Sequence, residues 1–257
     1  MFKYVITLSY DGFPFGGWQV QPNCPSIQGC LQETLSKLTG EQIQVIGSGR
    51  TDAGVHAKKQ VAHFSAEEKL STNFLEAANA LLPPEIRILS LDEANPGFHA
   101  RFSATQKTYH YHITMSPVLS PFESRYRTHL FYDMNLTLLQ KAIKYFVGTH
   151  DFSSFANERG SPFSPIKTIY RLEYVSEGEG KFRLEFTGSG FLYKMVRNIV
   201  GTLVYIARGK IPLEDLPKLF EARDRKKTPP PAPPQGLFLI SVDYQDPILQ
   251  LKNTTNI

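Results

Sequence analysis

Segments with strand periodicity alternate with segments with helix periodicity along this chain of 257 residues. Apolar and polar side chains alternate over residues 2–8, which is typical of a half-buried β-strand. From Ile27 to Leu38, apolar side chains recur at helical spacing directly after Ser26, a candidate N-cap. A strand followed by an amphipathic helix is therefore predicted for the start of the chain.

The same two patterns recur to the end of the chain. They predict strands at 43–46, 60–65, 109–115, 168–175, 181–186 and 237–244, and helices at 73–82, 136–147, 191–208 and 213–222. Two similar mixes of strand and helix meet near Ala104, although no strict sequence repeat is visible. We therefore expect an α+β fold of two halves, residues 1–104 and 105–246, whose sheets lie side by side, followed by a tail at 247–257.

Composition sets broad limits on the class of protein. Hydrophobic residues make up 41% of the chain, enough for an ample core. Lysine and arginine (28) exceed aspartate and glutamate (24), a mild excess that favours a polyanionic partner but not a strongly basic arm. Cys24 and Cys30 have neither metal-site nor disulfide-scaffold spacing, and no segment resembles a signal peptide or a membrane span. We expect a reduced, cytoplasmic protein that does not contact a membrane.

A proline-rich segment precedes the last predicted strand. Residues 229–234 read Pro-Pro-Pro-Ala-Pro-Pro. Since proline has no backbone N–H to donate, this segment can form neither a helix interior nor a central strand. An extended, stiff connector is predicted, and a polyproline ligand for another domain is the alternative.

A glycine-flanked aspartate is the main candidate for chemistry. Residues 47–57 read Gly-Ser-Gly-Arg-Thr-Asp-Ala-Gly-Val-His-Ala and have no apolar period, so the loop is expected to present Asp52. An aspartate carboxylate of ordinary pKa is ionised at pH 7 and can act as a nucleophile without a base. The guanidinium of Arg50, two residues away, could stabilise the ionised form. The alternative is a structural Arg50–Asp52 ion pair in a tight turn.

An ordered series of motifs resembles the tRNA pseudouridine synthase A family. The series is 9–12 (Ser-Tyr-Asp-Gly), 17–21 (Gly-Trp-Gln-Val-Gln), 26–28 (Ser-Ile-Gln), 49–57, 98–104 (Phe-His-Ala-Arg-Phe-Ser-Ala), 107–111 (Lys-Thr-Tyr-His-Tyr), 151–155 (Asp-Phe-Ser-Ser-Phe), 191–201 (Phe-Leu-Tyr-Lys-Met-Val-Arg-Asn-Ile-Val-Gly) and 236–239 (Gly-Leu-Phe-Leu). The resemblance covers almost the whole chain. An isolated Arg-Thr-Asp would be weak evidence, whereas the ordered set is highly specific.

The resemblance implies a fold, an activity and a site. The fold would be two ferredoxin-like halves with mainly antiparallel sheets and an active-site cleft between them. The activity would be isomerisation of uridine to pseudouridine at positions 38, 39 and 40 of the anticodon arm of tRNA, by a homodimer. Asp52 would be the nucleophile, Arg50 and Arg197 would hold the carboxylate and phosphate, and Tyr109 would stack on the target base. Because nothing is oxidised and no group leaves the RNA, neither a cofactor nor a metal is implied.

Two of these site residues also have a structural interpretation. Tyr109 could be a core aromatic on a buried strand face, which is the interpretation that we favour for Tyr111. Arg197 could belong to a solvated helix face opposite an apolar stripe. That face would comprise Tyr193, Lys194, Arg197 and Arg208, and the stripe Met195, Ile199, Thr202 and Ile206.

Other kinds of function remain open from the residues alone. A non-catalytic RNA-binding module would explain the basic balance but leaves the Asp52 loop unexplained, and a base-excising glycosylase would also use a carboxylate and a flipped base. The histidine pairs 110/112 and 56/63 lack a third ligand at diagnostic spacing, so no metal site is predicted.

Overall fold

The computed structural model describes residues 1–157 and 164–245. The chain forms two compact units: Met1–Thr105 with the segment that starts at Phe238, and Gln106–Leu237. The chain first passes from one unit to the other between Thr105 and Gln106. The closing strand groups with the first unit, whereas the prediction placed it in the second half, because periodicity does not indicate which sheet a strand joins. The predicted tail at 247–257 lies outside the described residues.

The first unit is built on an antiparallel sheet with helices from the intervening segments. Its elements are β1 (Phe2–Tyr10), α1 (Ile27–Thr39), β2 (Ile46–Gly47), β3 (His56–Ala66), α2 (Phe74–Leu81) and β4 (Ile86–Glu93), and it also contains the last strand of the chain. Strand β1 pairs antiparallel with both β3 and β4, and the short β2 pairs antiparallel with β3. The last strand joins β3 in parallel, with Phe238 opposite His56.

The second unit has the same mixed composition. Its elements are β5 (Ala104–Thr114), β6 (Thr128–His129), α3 (Leu136–Ile143), β7 (Gly148–Asp151), β8 (Ile166–Gly178), β9 (Lys181–Gly188), α4 (Met195–Ala207) and α5 (Leu216–Ala222). The last described strand, β10 (Leu237–Tyr244), belongs to the first unit. Strands β5, β9, β8 and β7 pair antiparallel in that order, and β6 lies parallel to β5. The predicted α+β fold with mainly antiparallel sheets is confirmed.

Local sequence signals explain where α1 begins and why one predicted strand does not form. Ser26 caps α1, since its hydroxyl accepts a hydrogen bond from Gly29 N at 3.2 Å. The predicted strand at 43–46 is wrong except for Ile46, which begins β2. Side chains of α1 bind this segment instead: Ile43 N donates to Ser36 Oγ and Val45 N to Gln32 Oε1.

Helix α4 differs from the predicted helix at 191–208. Lys194 adopts the left-handed conformation (φ 59°), so Tyr193 and Lys194 precede the helix. Eleven residues of α4 are buried, which leaves Arg197 and Tyr205 as its half-buried positions. The apolar stripe expected on α4 is buried, and the four residues of the expected polar face, Tyr193, Lys194, Arg197 and Arg208, are half-buried. Helix α4 is therefore a core helix with one cationic side chain, and its polar face is only partly solvated.

No helix in the described part of the chain is long and apolar enough to span a membrane.

Candidate active site

Asp52 lies in a short irregular segment between β2 and β3, residues 48–55, which we call the aspartate loop. The loop ends in a turn in which Val55 N donates to Asp52 O at 3.1 Å, and Gly54 takes the left-handed conformation (φ 76°). The Asp52 side chain is half-buried, whereas Thr51 and Val55 on either side of it are buried. Asp52 is therefore partly accessible to solvent, between two neighbours that are buried.

A buried glutamine on β3 supports the start of the aspartate loop. Gln60 is fully buried and accepts a hydrogen bond from Ser48 Oγ at 2.6 Å. Its amide nitrogen donates to Gly49 O at 3.0 Å and lies 3.4 Å from Tyr10 Oη. Because Gln60, Ser48 and Tyr10 are buried, water cannot readily replace the bonds among them, so losing one is costly.

Tyr10 connects this support to the residue before the aspartate. Its hydroxyl lies 2.9 Å from Thr51 Oγ1. Burial raises the pKa of Tyr10 to about 12, so the hydroxyl is neutral and serves as a hydrogen-bonding group. On the other side of Thr51, its carbonyl oxygen accepts a hydrogen bond from Trp18 N at 3.0 Å.

The end of the aspartate loop is held by the N-terminal segment. Gly12 N donates to His56 Nδ1 at 3.1 Å, and the His56 ring stacks on Phe238 at 4.5 Å. A methyl group on Gly12 would overlap the carbonyl oxygen of Val55, so this approach requires glycine. His56 is 1% exposed, and its Nδ1 also lies 3.0 Å from Asp11 Oδ1.

Arg50 does not form the ion pair with Asp52 that the sequence allows. Its side chain is exposed, and within the described residues it makes neither a hydrogen bond nor an ion pair with Asp52. A tight-turn ion pair is therefore not the reason for the Arg-Thr-Asp order. The Arg50 side chain is instead exposed to solvent, two residues before Asp52.

The other two predicted site residues belong to the second unit. Tyr109 lies on β5 opposite Phe186, is 8% exposed, and contacts Phe191 edge-on with a centroid distance of 5.1 Å. Tyr111, two residues on, is fully buried, which confirms the core interpretation of that residue. Arg197 Nε donates to Ala232 O at 2.8 Å.

The histidines considered above as metal ligands have other partners. His63 Nδ1 accepts a hydrogen bond from Ala100 N at 3.1 Å. In the second unit, His110 lies 3.6 Å from Glu185 and His112 lies 3.4 Å from Glu177. Residues 1–157 and 164–245 contain no group of three or more His, Cys, Asp or Glu side chains that could hold a metal ion.

Sequence analysis missed the residues that support Asp52. Gln60 looks like the first residue of an ordinary strand, and its partners lie at positions 10, 48 and 49. Periodicity describes neighbours along one element, so it cannot reveal a buried polar network that joins three segments. The indicative signal is a long polar side chain at a position that the sheet buries completely.

The comparisons with known proteins identify the family. Residues 142–245 match a family described as tRNA pseudouridine synthase. The chain is 47% identical over 251 residues to tRNA pseudouridine synthase A 1 of Protochlamydia amoebophila, covering 96% of this chain and 98% of that relative. It is 44% identical to tRNA pseudouridine synthase A of Chlamydia muridarum, covering 95% and 93%, and 40% identical to that of a Thermoanaerobacter species, covering 95% and 100%. The chain belongs to the tRNA pseudouridine synthase A family.

A more distant likeness exists among solved structures. A structure titled "Structure of H/ACA RNP bound to a substrate RNA containing 2'-deoxyuridine" aligns with 79% of this chain and 44% of that chain. The identity is 12% and the TM-score 0.40, too low to bear on the fold.

Proposed function

We propose that this protein is an isomerase that converts uridine to pseudouridine at positions 38, 39 and 40 in the anticodon arm of tRNA. The observation that carries the proposal is the placement of Asp52. Its carboxylate is presented by a loop whose start and end are held by buried hydrogen bonds, in a chain that belongs to the tRNA pseudouridine synthase A family.

The reaction is balanced without a second substrate. The C1′–N1 bond of uridine breaks, the uracil rotates, and a C1′–C5 bond forms; C5 loses one proton and N1 gains one. Asp52 is the nucleophile and attacks either C1′ of the ribose or C6 of the base, a choice that its position in the chain leaves open. The isomerisation consumes no external oxidant or reductant and transfers no group to or from the RNA, so the proposed mechanism uses neither a cofactor nor a metal.

The other site residues have roles in binding and orientation. The exposed Arg50 contacts the phosphate beside the target nucleotide. Arg197 holds the Asp52 carboxylate, and Tyr109 contacts the extruded base. Since a base within an RNA stem is stacked and paired, the enzyme must flip the uridine out before Asp52 can reach it.

Assembly and location follow from the same proposal. The enzyme acts as a homodimer in the cytoplasm, where its tRNA substrate is found. In the second unit, three large apolar side chains support a protein contact: Val118, Phe122 and Phe131 are 80%, 89% and 78% exposed. Sedimentation velocity of the purified protein, with and without tRNA, measures the oligomeric state.

Product analysis tests the activity. The protein is incubated with unmodified tRNA transcripts, and pseudouridine is mapped by a chemistry specific for it. Isomerisation leaves the mass of the RNA unchanged and marks positions 38–40. Loss of uracil would indicate a glycosylase, and unchanged uridine with retained binding would indicate an RNA-binding module.

Asp52→Asn tests the nucleophile. We expect no detectable pseudouridine and nearly unchanged tRNA affinity, because one neutralised carboxylate barely alters an interface with many phosphates. Asp133→Asn, at an exposed position of the second unit, removes the same charge and should remain active. A comparable rate from Asp52→Asn would overturn the assignment.

A further inference from the structure

The proline-rich segment has an unusual shortage of hydrogen-bond donors. Among residues 229–234, Ala232 alone is not proline, so it carries the single backbone N–H of the run. That N–H donates to the carbonyl oxygen of Arg197 at 2.9 Å. The carbonyl oxygen of Ala232 in turn accepts the hydrogen bond from Arg197 Nε at 2.8 Å. One residue therefore binds both the backbone and the side chain of Arg197.

Helix α4 is shaped to receive this segment. Gly201 lies four residues after Arg197, on the same side of the helix. A Cβ at Gly201 would overlap Pro230 O and would lie 3.4 Å from Ala232 N. Glycine is unfavourable within a helix, and here its missing side chain lets the backbone of residues 230–232 lie directly against α4.

The far end of the segment is anchored to the strand that carries Tyr109. The hydroxyl of the fully buried Tyr111 donates to Pro233 O at 2.7 Å and lies 2.6 Å from Thr128 Oγ1. The next residues form a short 3₁₀ turn, Pro234–Gly236. We call residues 229–236 the proline loop. Within the second unit, this loop contacts α4 through residues 230–232 and β5 through Pro233.

We infer that the proline loop, through Ala232, is a positioning device for Arg197. The inference rests on the proposed function, in which Arg197 acts at the carboxylate of Asp52. Proline restricts φ, and the residue before a proline is restricted as well, so the Ala232 carbonyl is held in place by stiff neighbours. Bound at Nε, the guanidinium has one of its five N–H groups committed to this carbonyl and its plane oriented before substrate arrives.

A double-mutant cycle tests the inference. Single-turnover rates of pseudouridine formation are measured for the natural protein, Gly201→Ala, Arg197→Lys and the double variant. We expect Gly201→Ala to slow the reaction about tenfold or more with tRNA affinity unchanged, because the added methyl group displaces the loop from Arg197. In the Arg197→Lys background, which lacks Nε, the same change should alter the rate less than about twofold.

The cycle has one control variant and one substitute variant. Gly97→Ala adds a methyl group at an exposed glycine with nothing within 4 Å and should leave the rate unchanged. If Gly201→Ala melts at a much lower temperature, Tyr111→Phe replaces it in the cycle, since it keeps the ring and removes the bond to Pro233. An equal effect in both backgrounds, or none in either, overturns the inference. If Arg197→Lys is fully active while Asp52→Asn is inactive, the positioning role fails and the proposed function stands.

Discussion

The aspartate loop contains proposed site residues and the proline loop binds one, Arg197. Both loops are irregular, but they are held in place by different means. The aspartate loop is held by residues outside it: Gln60 and Tyr10 bind the loop itself, and Gly12 binds His56, the residue that follows the loop. The proline loop takes much of its order from its own covalent structure and uses few hydrogen bonds, at Ala232 and Pro233.

This difference matches what each loop must present. A nucleophile needs a side chain that projects from a precise backbone position. Glycines therefore allow the backbone conformation of the aspartate loop, and buried polar groups keep the loop in that conformation. A positioning carbonyl needs only a stiff backbone, which proline provides locally. The two loops should therefore respond differently to mutation: the first should be sensitive at remote positions and the second at its own residues.

Gln60→Leu gives the largest expected effect. The leucine keeps a similar volume but removes the hydrogen bonds that Gln60 makes with the buried Ser48 Oγ and with the half-buried Gly49 O. Removing one partner of a buried hydrogen bond costs about 1–3 kcal/mol, so we expect a loss of about 3 kcal/mol in the free energy of unfolding. The rate should fall about 100-fold, because Asp52 loses its fixed position.

Denaturant titration and single-turnover kinetics measure both quantities for Gln60→Leu. Gln44→Leu, at an exposed position of the same unit, is the matched control and should change neither. Retention of the natural rate by Gln60→Leu would show that the aspartate loop does not depend on this buried network, and the contrast between the loops would be lost.

Replacing the prolines that flank Ala232 gives an intermediate effect. In Pro231→Ala/Pro233→Ala the loop keeps its hydrogen-bonding groups but the unfolded chain gains freedom, at about 0.4–1 kcal/mol for each proline. The rate should fall about fivefold or less, since Arg197 keeps its acceptor but loses the stiffness behind it. Pro121→Ala, in an exposed segment, should show a similar stability change without the rate change. Equal rates for the double variant and this control would refute a role for loop stiffness.

The sequence predicts a helix or strand of this fold well where the residue pattern within that element is enough to determine it. The Ser26 cap, α1 and the closing strand follow directly from local pattern. The strand expected at 43–46 fails because α1 side chains take its backbone groups, and the helix expected from residue 191 begins only at Met195 because Lys194 takes the left-handed conformation. Similarly, motifs locate Asp52, while the polar network at Gln60 and the contact between Ala232 and Arg197 join distant segments. Such contacts exist only after folding, so no local pattern encodes them.

The pH dependence of stability gives the smallest expected effect and compares the two units. Burial is the main cause that lowers the pKa of His63 in the first unit and of His112 in the second, in each case from 6.5 to about 4. Below pH 6.5 the unfolded chain binds a proton at each of these histidines while the folded protein does not. Stability is therefore complete above pH 6.5 and falls as the pH is lowered towards 4, and the loss between pH 7 and pH 6 is about 0.7 kcal/mol for each histidine.

Single variants assign this loss to the units. His63→Asn can retain an acceptor for Ala100 N and should remove one histidine's share of the pH dependence, and His112→Asn should do the same. Denaturant titrations at pH 7, 6 and 5 measure the shares as differences from the natural protein, which cancels the contributions of other groups. A natural protein whose stability is the same at pH 7 and pH 5 would contradict the prediction for both units. Loss of the pH dependence in one variant alone would show that the two units differ in how firmly they exclude a charged histidine.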